Sequence, residues 1–253
     1  MYYGIGVGPE VVDSALAVIQ ALQAPVEFVP IDFYDHETQQ LRPEALNQLQ
    51  KAGVGLFGPF PSAEAERGLR AQLGLFLSAL HFGSTTRVVF DYFSGFGAVC
   101  EYKLTEETVY CSFTRSAAQH AQVVRLAQEM DAAATDLSGT PHLHRRLSDP
   151  GTFVIPNDAS TAVLTILEEQ HAPHISKVAA NERVAVFQPH HGCLEQQTLK
   201  NTADPTSCLW AAVHALRHLD LAAESERLQH ALGSVVLENR RTDAATEEVI
   251  NRL

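Results

Sequence analysis

Across the first 80 residues, helical periodicity and short apolar runs take turns, and this alternation restricts the fold more than any other feature. Pro9 to about Gln23 reads as a helix. Pro9 fits the first helical position, where a missing N–H costs little, and Val12, Leu16, Ile19 and Leu22 fall on one face. VEFVPI (26–31) reads as a strand. RPEALNQLQKAG (42–53) reads as a second helix, with Pro43 in its first turn and Gly53 as its stop. VGLFGPF (54–60) is a short buried strand running into a Gly-Pro turn, and SAEAERGLRAQLGLFLSAL (62–80) a longer helix. Such alternation predicts a parallel sheet covered by helices.

The middle of the chain has another rhythm. RVVFDYF (87–93) reads as a strand, followed by the glycine-bearing SGFGA (94–98). VCEYKL and TVYCSFT flank Thr105-Glu106-Glu107 with apolar residues on alternate positions, the pattern of a β-hairpin. SAAQHAQVVRLAQEM (116–130) reads as a helix, and the polar, turn-rich 131–151 as a loop or linker. TFVIP (152–156) and RVAVFQP (183–189) read as strands, and ASTAVLTILEEQ (159–170) as a helix. PTSCLWAAVHALRHLDL (205–221) is a strongly apolar helix, with AESERLQHAL and TEEVINRL as closing helices. No internal repeat is visible.

Composition narrows the function classes. The 253 residues suit one large domain or two small ones, and 45% apolar with 19% charged residues is a globular profile. A net charge of -12 disfavours nucleic acid as a main partner, since that needs a basic surface. No apolar run reaches the length of a membrane span, and no charged n-region with an apolar block opens the chain, so neither membrane insertion nor a secretory leader is expected. Cys100, Cys111, Cys193 and Cys208 form no CxxC pair, which argues against a zinc site or a disulfide framework. Reduced thiols in the cytoplasm are the expectation, with the mitochondrial matrix as the alternative. Lysine is scarce, at positions 51, 103, 177 and 200 alone.

Several stretches in order resemble the isocitrate/isopropylmalate dehydrogenase family. GIGVGPEVV resembles its opening Gly-rich turn and helix, and RPEALNQLQKAGVGLFGPF its next helix and strand. ERGLRAQLGLF resembles the helix that supplies substrate arginines. VAVFQPHHG, KNTADPTS and ALRHLDL resemble the nucleotide loop and the long helix after it, and RTDAATEEVINRL the C-terminus. The opening glycines lack the spacing of a Rossmann fingerprint, and hydrophobic Ile5 stands where the family commonly has an aspartate. The resemblance covers most of the chain. It implies an α/β fold of two subdomains, with a mixed, mainly parallel sheet and a β-hairpin arm. The large subdomain would comprise 1–83 and 171–253, and the small one 84–170, with a dimerisation arm at 98–114 and an internal deletion near 131–151. Partners implied are a second copy, a related dehydrogenase subunit joined through the arm, or a larger protein complex.

The family oxidises a 2-hydroxy acid with NAD or NADP and then decarboxylates it, usually with Mg²⁺ or Mn²⁺. The metal chelates hydroxyl and carboxylate, a lysine and a tyrosine move protons, and arginines hold the substrate. Arg70 matches one family arginine; the second falls on LSALHF (77–82) and the third on VVFDYFSG, which has Asp91 and Tyr92 instead. The bland role for Arg70 is an exposed helical residue or a partner of Glu66. Aligned on the glycines of SGFGAVC, the family tyrosine falls on Val99; a three-residue shift brings Glu101-Tyr102 onto its Glu-Tyr pair. The hairpin favours the first register, with Tyr102 as an arm residue. Between Lys103 and Lys177 there is no lysine at all. After Pro156 and Asn157, threonines 161 and 165 stand where metal carboxylates belong, and Asp158 serves as a ligand only with a local gap. Its bland role is a helix N-cap.

The nucleotide segment keeps more. The resemblance gives His191 and Gly192 as its His-Gly pair, Asp204 where the family commonly has an asparagine facing adenine, and Asp243 in its Thr-Arg-Asp segment. A metal trio of His190, His191 and Cys193 lacks a further ligand nearby in sequence. Loss of one acid–base group typically removes about 10²–10⁴ in rate. With lysine, tyrosine, metal carboxylates and two arginines missing, the expected reading is a catalytically dead structural or scaffold subunit, with no cofactor, Mg²⁺ disfavoured and NAD left open. The alternatives are a regulatory subunit of an NAD-dependent isocitrate dehydrogenase-type heteromer that retains a nucleotide, and an NAD(P)-dependent 2-hydroxy acid oxidoreductase with altered chemistry.

Overall fold

The computed structural model describes residues 1–35, 37–38, 40–75, 77–82, 86–88, 98–103, 111–113, 134–135, 152–156, 175–190, 200–235, 237 and 240–253. Between 77 and 156 the description is of backbone alone. The sequence-predicted helices 116–130 and 159–170 and the hairpin turn 105–107 lie outside the described residues.

The chain divides into two compact units, Met1–Leu69 with Val184–Leu253, and Arg70–Arg183. In the first, α1 (Gly8–Ala21) carries Pro9 in its first turn, as its sequence demands, and buries Val11, Val12, Ala15, Leu16, Val18 and Ile19. Two short strands, β1 (Tyr34–Asp35) and β2 (Gln40–Leu41), pair antiparallel. Then α2 (Pro43–Ala52) ends where Gly53 takes φ 74° and its N–H donates to Leu49 O at 2.9 Å. That left-handed stop is what glycine allows without a Cβ penalty. Next, β3 (Val54–Leu56) runs parallel to β11 (Ala185–Pro189), with Val54 opposite Ala185 and Leu56 opposite Phe187. Tyr2 adds a parallel bridge to Phe57.

The first unit's core lies between this parallel layer and its helices. Thr206 to Leu216 of α4 (Thr206–His218) are buried without interruption, which makes it the central helix. It packs on α1, on β3 and β11, and on α5 (Ala222–Gly233), while α6 (Thr242–Ile250) packs on α1. Each of Leu209, Val213 and Leu216 is at most 1% exposed and stabilises the unit by about 1.5–3 kcal/mol. At the start of the chain, Tyr2, Phe33, Phe57 and Phe60 form an aromatic cluster with ring centroids 4.7–5.8 Å apart. Burial pushes the Tyr2 phenol up to about 12, with Asp32 and Tyr34 adding to it.

Two sequence expectations fail here. VEFVPI takes no regular structure. Ile31 N–H donates to Met1 O at 2.8 Å and the Met1 amino group to Val29 O at 2.7 Å, but Pro25 and Pro30 remove N–H groups at both ends of the run. The helix expected over 62–80 is α3 (Ala63–Leu73), which ends seven residues early. Gly74 takes φ 64°, its N–H donates to Ala71 O at 3.3 Å, and Leu75 N–H donates to Arg70 O at 2.9 Å, a Schellman stop. Asn181 Nδ2 donates to Leu73 O at 2.8 Å, while its Oδ1 accepts Arg183 N–H at 2.8 Å. Asn181→Ala is expected to cost about 1–2 kcal/mol, read as a melting temperature lowered by roughly 2–8 °C in calorimetry.

The residues after Gly74 form β4 (Leu77–Phe82), which pairs antiparallel with β10 (Ile175–Ala180) from Leu77↔Ala180 to Phe82↔Ile175. These two strands carry the chain into and out of the second unit. The units therefore divide at 69/70 and 183/184, whereas the sequence places the divisions at 83/84 and 170/171. Between them lie β5 (Thr86–Val88), β6 (Ala98–Lys103), β7 (Cys111–Phe113), β8 (Ala134–Thr135) and β9 (Thr152–Pro156). The order across this unit is β10-β4-β5-β6-β9-β8, with β7 pairing both β4 and β6. Pairing is antiparallel except for β8 with β9, which gives the fold its mixed character alongside the parallel pair of the first unit. Strand β8 lies inside the stretch 131–151 that reads as a loop.

Candidate functional site

Three segments of the first unit converge where the sequence places its nucleotide loop. They are the end of β11, the turn 200–205 ahead of α4, and the start of α6. Glu10, in the first turn of α1, anchors the second and third of them. Its carboxylate accepts Asn201 N–H at 2.7 Å and Ala203 N–H at 3.3 Å. Thr242 Oγ1 lies 2.7 Å from Ala203 O and 3.2 Å from the same carboxylate, so its single proton goes to one of them at a time. Asn201 takes φ 63°, a left-handed conformation asparagine tolerates, and its Oδ1 accepts Asp243 N–H at 2.8 Å.

Asp204 faces inward along this turn. Its Oδ1 accepts Thr206 N–H at 2.9 Å and the Thr206 hydroxyl, an Asx-type turn that leads into α4. Ser207 Oγ accepts His190 N–H at 3.0 Å and so fixes the point at which the chain leaves β11. Gln188, 4% exposed, donates through Nε2 to Glu66 at 3.0 Å, and its buried Oε1 has no partner among the described residues. Asp243 is exposed. Its carboxylate accepts Ala244 N–H at 2.7 Å and pairs with Arg241 at 3.0 Å. The Asn201 side chain, then Ala244 N–H and Arg241, hold its carboxyl below the usual range.

The structure thus brings Asp204 and Asp243 to one turn, joined through Asn201 and Thr242. Arg70 belongs to the second unit, and at 2% exposure it is not the exposed helical arginine of the bland reading. Tyr102 stands in β6, opposite Val88 of β5 and Phe153 of β9. His191, Gly192, Cys193 and Asp158 lie outside the described residues, and so does the metal trio built on them. Among the described residues no group of three His, Cys, Asp or Glu side chains is placed to hold a metal ion. No helix among them is long and apolar enough to cross a membrane. Glu10, Asn201, Ser207 and Thr242 escaped the sequence reading. The signals they offered were an acidic residue in a first turn and the asparagine of KNTADP, both ordinary taken alone.

Neither a protein-family model nor a curated protein sequence matches the chain. Solved structures do. The chain is similar to a beta-decarboxylating dehydrogenase from Thermococcus kodakarensis in its apo form, with TM-score 0.74 and 18% identity over 99% of this chain and 94% of that one. It is similar to a protein from Thermus thermophilus, with TM-score 0.71 and 19% identity over 100% of this chain and 67% of that one. It is also similar to an isocitrate dehydrogenase from Methylococcus capsulatus, with TM-score 0.67 and 15% identity over 99% of this chain and 97% of that one. At such identities the likeness fixes the fold alone. That fold is the α/β architecture of isocitrate dehydrogenase-like structures, as the resemblance implied, although among the described residues the mixed sheet is mostly antiparallel rather than mainly parallel.

Proposed function

We propose that this chain is a non-catalytic relative of the isocitrate/isopropylmalate dehydrogenases that serves as a structural subunit of a larger assembly. One observation carries the reading. The carboxylates that the resemblance assigns to a nucleotide, Asp204 and Asp243, serve the chain's own backbone at the first turns of α4 and α6. A carboxylate that already accepts a neighbouring backbone N–H is a poorer ligand for an adenosine, because recruiting it gives up that bond. The missing lysine and the threonines at 161 and 165 remove proton transfer and metal chelation on the same reading. The contact surface would lie on 98–114, toward a second copy or a related subunit in the cytoplasm. Since β6 and β7 are each paired on two sides within the sheet rather than projecting as a free arm, the contact would use their faces and not a strand edge.

The test is a melting curve with NAD, NADP or ADP, run beside a turnover assay. Saturation to 100 times Kd would stabilise the fold by about 2.7 kcal/mol, an easily read shift. The expected result is no shift and no reduced nicotinamide from isocitrate, isopropylmalate, tartrate or homoisocitrate with Mg²⁺. Turnover of any of these overturns the proposal. A regulatory subunit is the second reading, favoured by the His191-Gly192 pair that the sequence keeps where the resemblance has a nucleotide segment. A nucleotide-induced shift without turnover, together with a catalytic homologue that co-purifies, would decide for it.

A further inference from the structure

In the second unit, β5 and β7 lie end to end between β4 and β6. Arg87 and Val88 of β5 oppose Lys103 and Tyr102, and β7 takes over below them. The register of β7 is set from both sides. Against β4 it pairs Cys111 with Ser78 and Ser112 with Leu77; against β6 it pairs Phe113 with Ala98, Ser112 with Val99 and Cys111 with Cys100. The two cysteines of the arm are therefore direct cross-strand partners. Opposed residues of antiparallel strands share a face, with Cα atoms about 4.5 or 5.5 Å apart according to the hydrogen-bonding of the pair. Both spacings fall inside the roughly 4.4–6.8 Å that a disulfide spans. A slip of one residue would take the two positions out of opposition, and pairing on two sides holds the register against it.

We propose that Cys100 and Cys111 form a reversible cross-strand disulfide that locks β6 to β7. The oxidant is a low-molecular-weight disulfide of the glutathione class. One cysteine thiolate attacks it, forming a mixed disulfide and releasing one small thiol. The second thiolate then attacks the protein sulfur and releases the other. Two S–H bonds become one S–S bond, and the two electrons leave in the reduced reagent. Cys208 takes no part: it is fully buried in α4, and burial pushes its thiol up to about 12.

Trypsin separates the pair, because Lys103 puts Cys100 in peptide 88–103 and Cys111 in 104–115. The full chain is equilibrated in glutathione buffers of increasing oxidation, alkylated, and digested without reduction. The expected result is a linked 88–103/104–115 species and a monomer lighter by two hydrogen atoms. The linkage should be lost in both Cys100→Ser and Cys111→Ser, and in wild-type chain unfolded in guanidinium at the same poise. The oxidised chain should also melt higher than the reduced one, since the link closes the loop between them. Four free thiols across all buffers, a linkage to Cys193, a link between two chains, or equal pairing in the unfolded chain each overturns the proposal.

Discussion

Gly58→Ala is expected to lower the melting temperature by roughly 10 °C or more, at a cost of about 3–5 kcal/mol. A Cβ at position 58 would sit against the Tyr3 carbonyl oxygen, with the Gly4 backbone nitrogen 3.2 Å away. Neither neighbour is a flexible side chain. Gly58 N–H also donates to Tyr2 O at 2.7 Å, so moving the backbone to make room breaks the bond that seats the first residues on β3. The same approach explains the opening glycines. A Cβ on Gly4 would meet the Pro59 carbonyl oxygen and one on Gly8 the Tyr3 carbonyl oxygen, while Gly4 and Gly6 take φ 75° and 60°. These glycines are there for backbone against backbone. Gly68→Ala is the matched control. It lies inside α3 with the Leu41 Cδ1 atom at 3.5 Å, an ordinary contact, and should stabilise by about 0.5–1 kcal/mol. Paired melting curves check both signs, and a Gly58→Ala chain as stable as wild type would remove this account of the turn.

Where a local signal and the tertiary fold agree, the sequence is easy to read. Pro9 and Pro43 open α1 and α2, Gly53 closes α2, and the apolar run at 205–221 contains α4. The strand β4 shows the opposite case. LSALHF continues the apolar pattern of α3, so a single Gly74 looks tolerable inside a helix. Asn181, 107 residues further on, caps the helix end, and β10 supplies the ladder that makes 77–82 a strand. Such long-range partners leave no local trace. The site divides in the same way. Asp204 and Asp243 are legible as polar residues at the right places, but their direction is not. A carboxylate near a helix start can turn to a ligand or to its own backbone, and only geometry tells which. The pairing of Cys100 with Cys111 likewise depends on a register that the spacing of two cysteines does not encode.

Glu10→Ala should destabilise the first unit by about 3 kcal/mol, or roughly 6–12 °C in melting temperature. Its carboxylate takes two backbone N–H groups of the 200–205 turn and lies beside Thr242, so it ties α1 to the turn before α4 and to the first residue of α6. Bonds from backbone N–H to a carboxylate are worth about twice a neutral pair, and alanine leaves both donors without an acceptor. Glu10→Gln keeps one oxygen in place and should lose about half as much. The loss should be local. Hydrogen exchange is expected to rise at Asn201, Ala203 and Thr242, while the antiparallel ladder of β4 with β10 in the second unit stays protected. Equal exchange changes in both units would mean that Glu10 supports the whole chain rather than this turn. An unchanged melting temperature would mean that water replaces the carboxylate at no cost, and the turn would then lose its claim to be a built structural element.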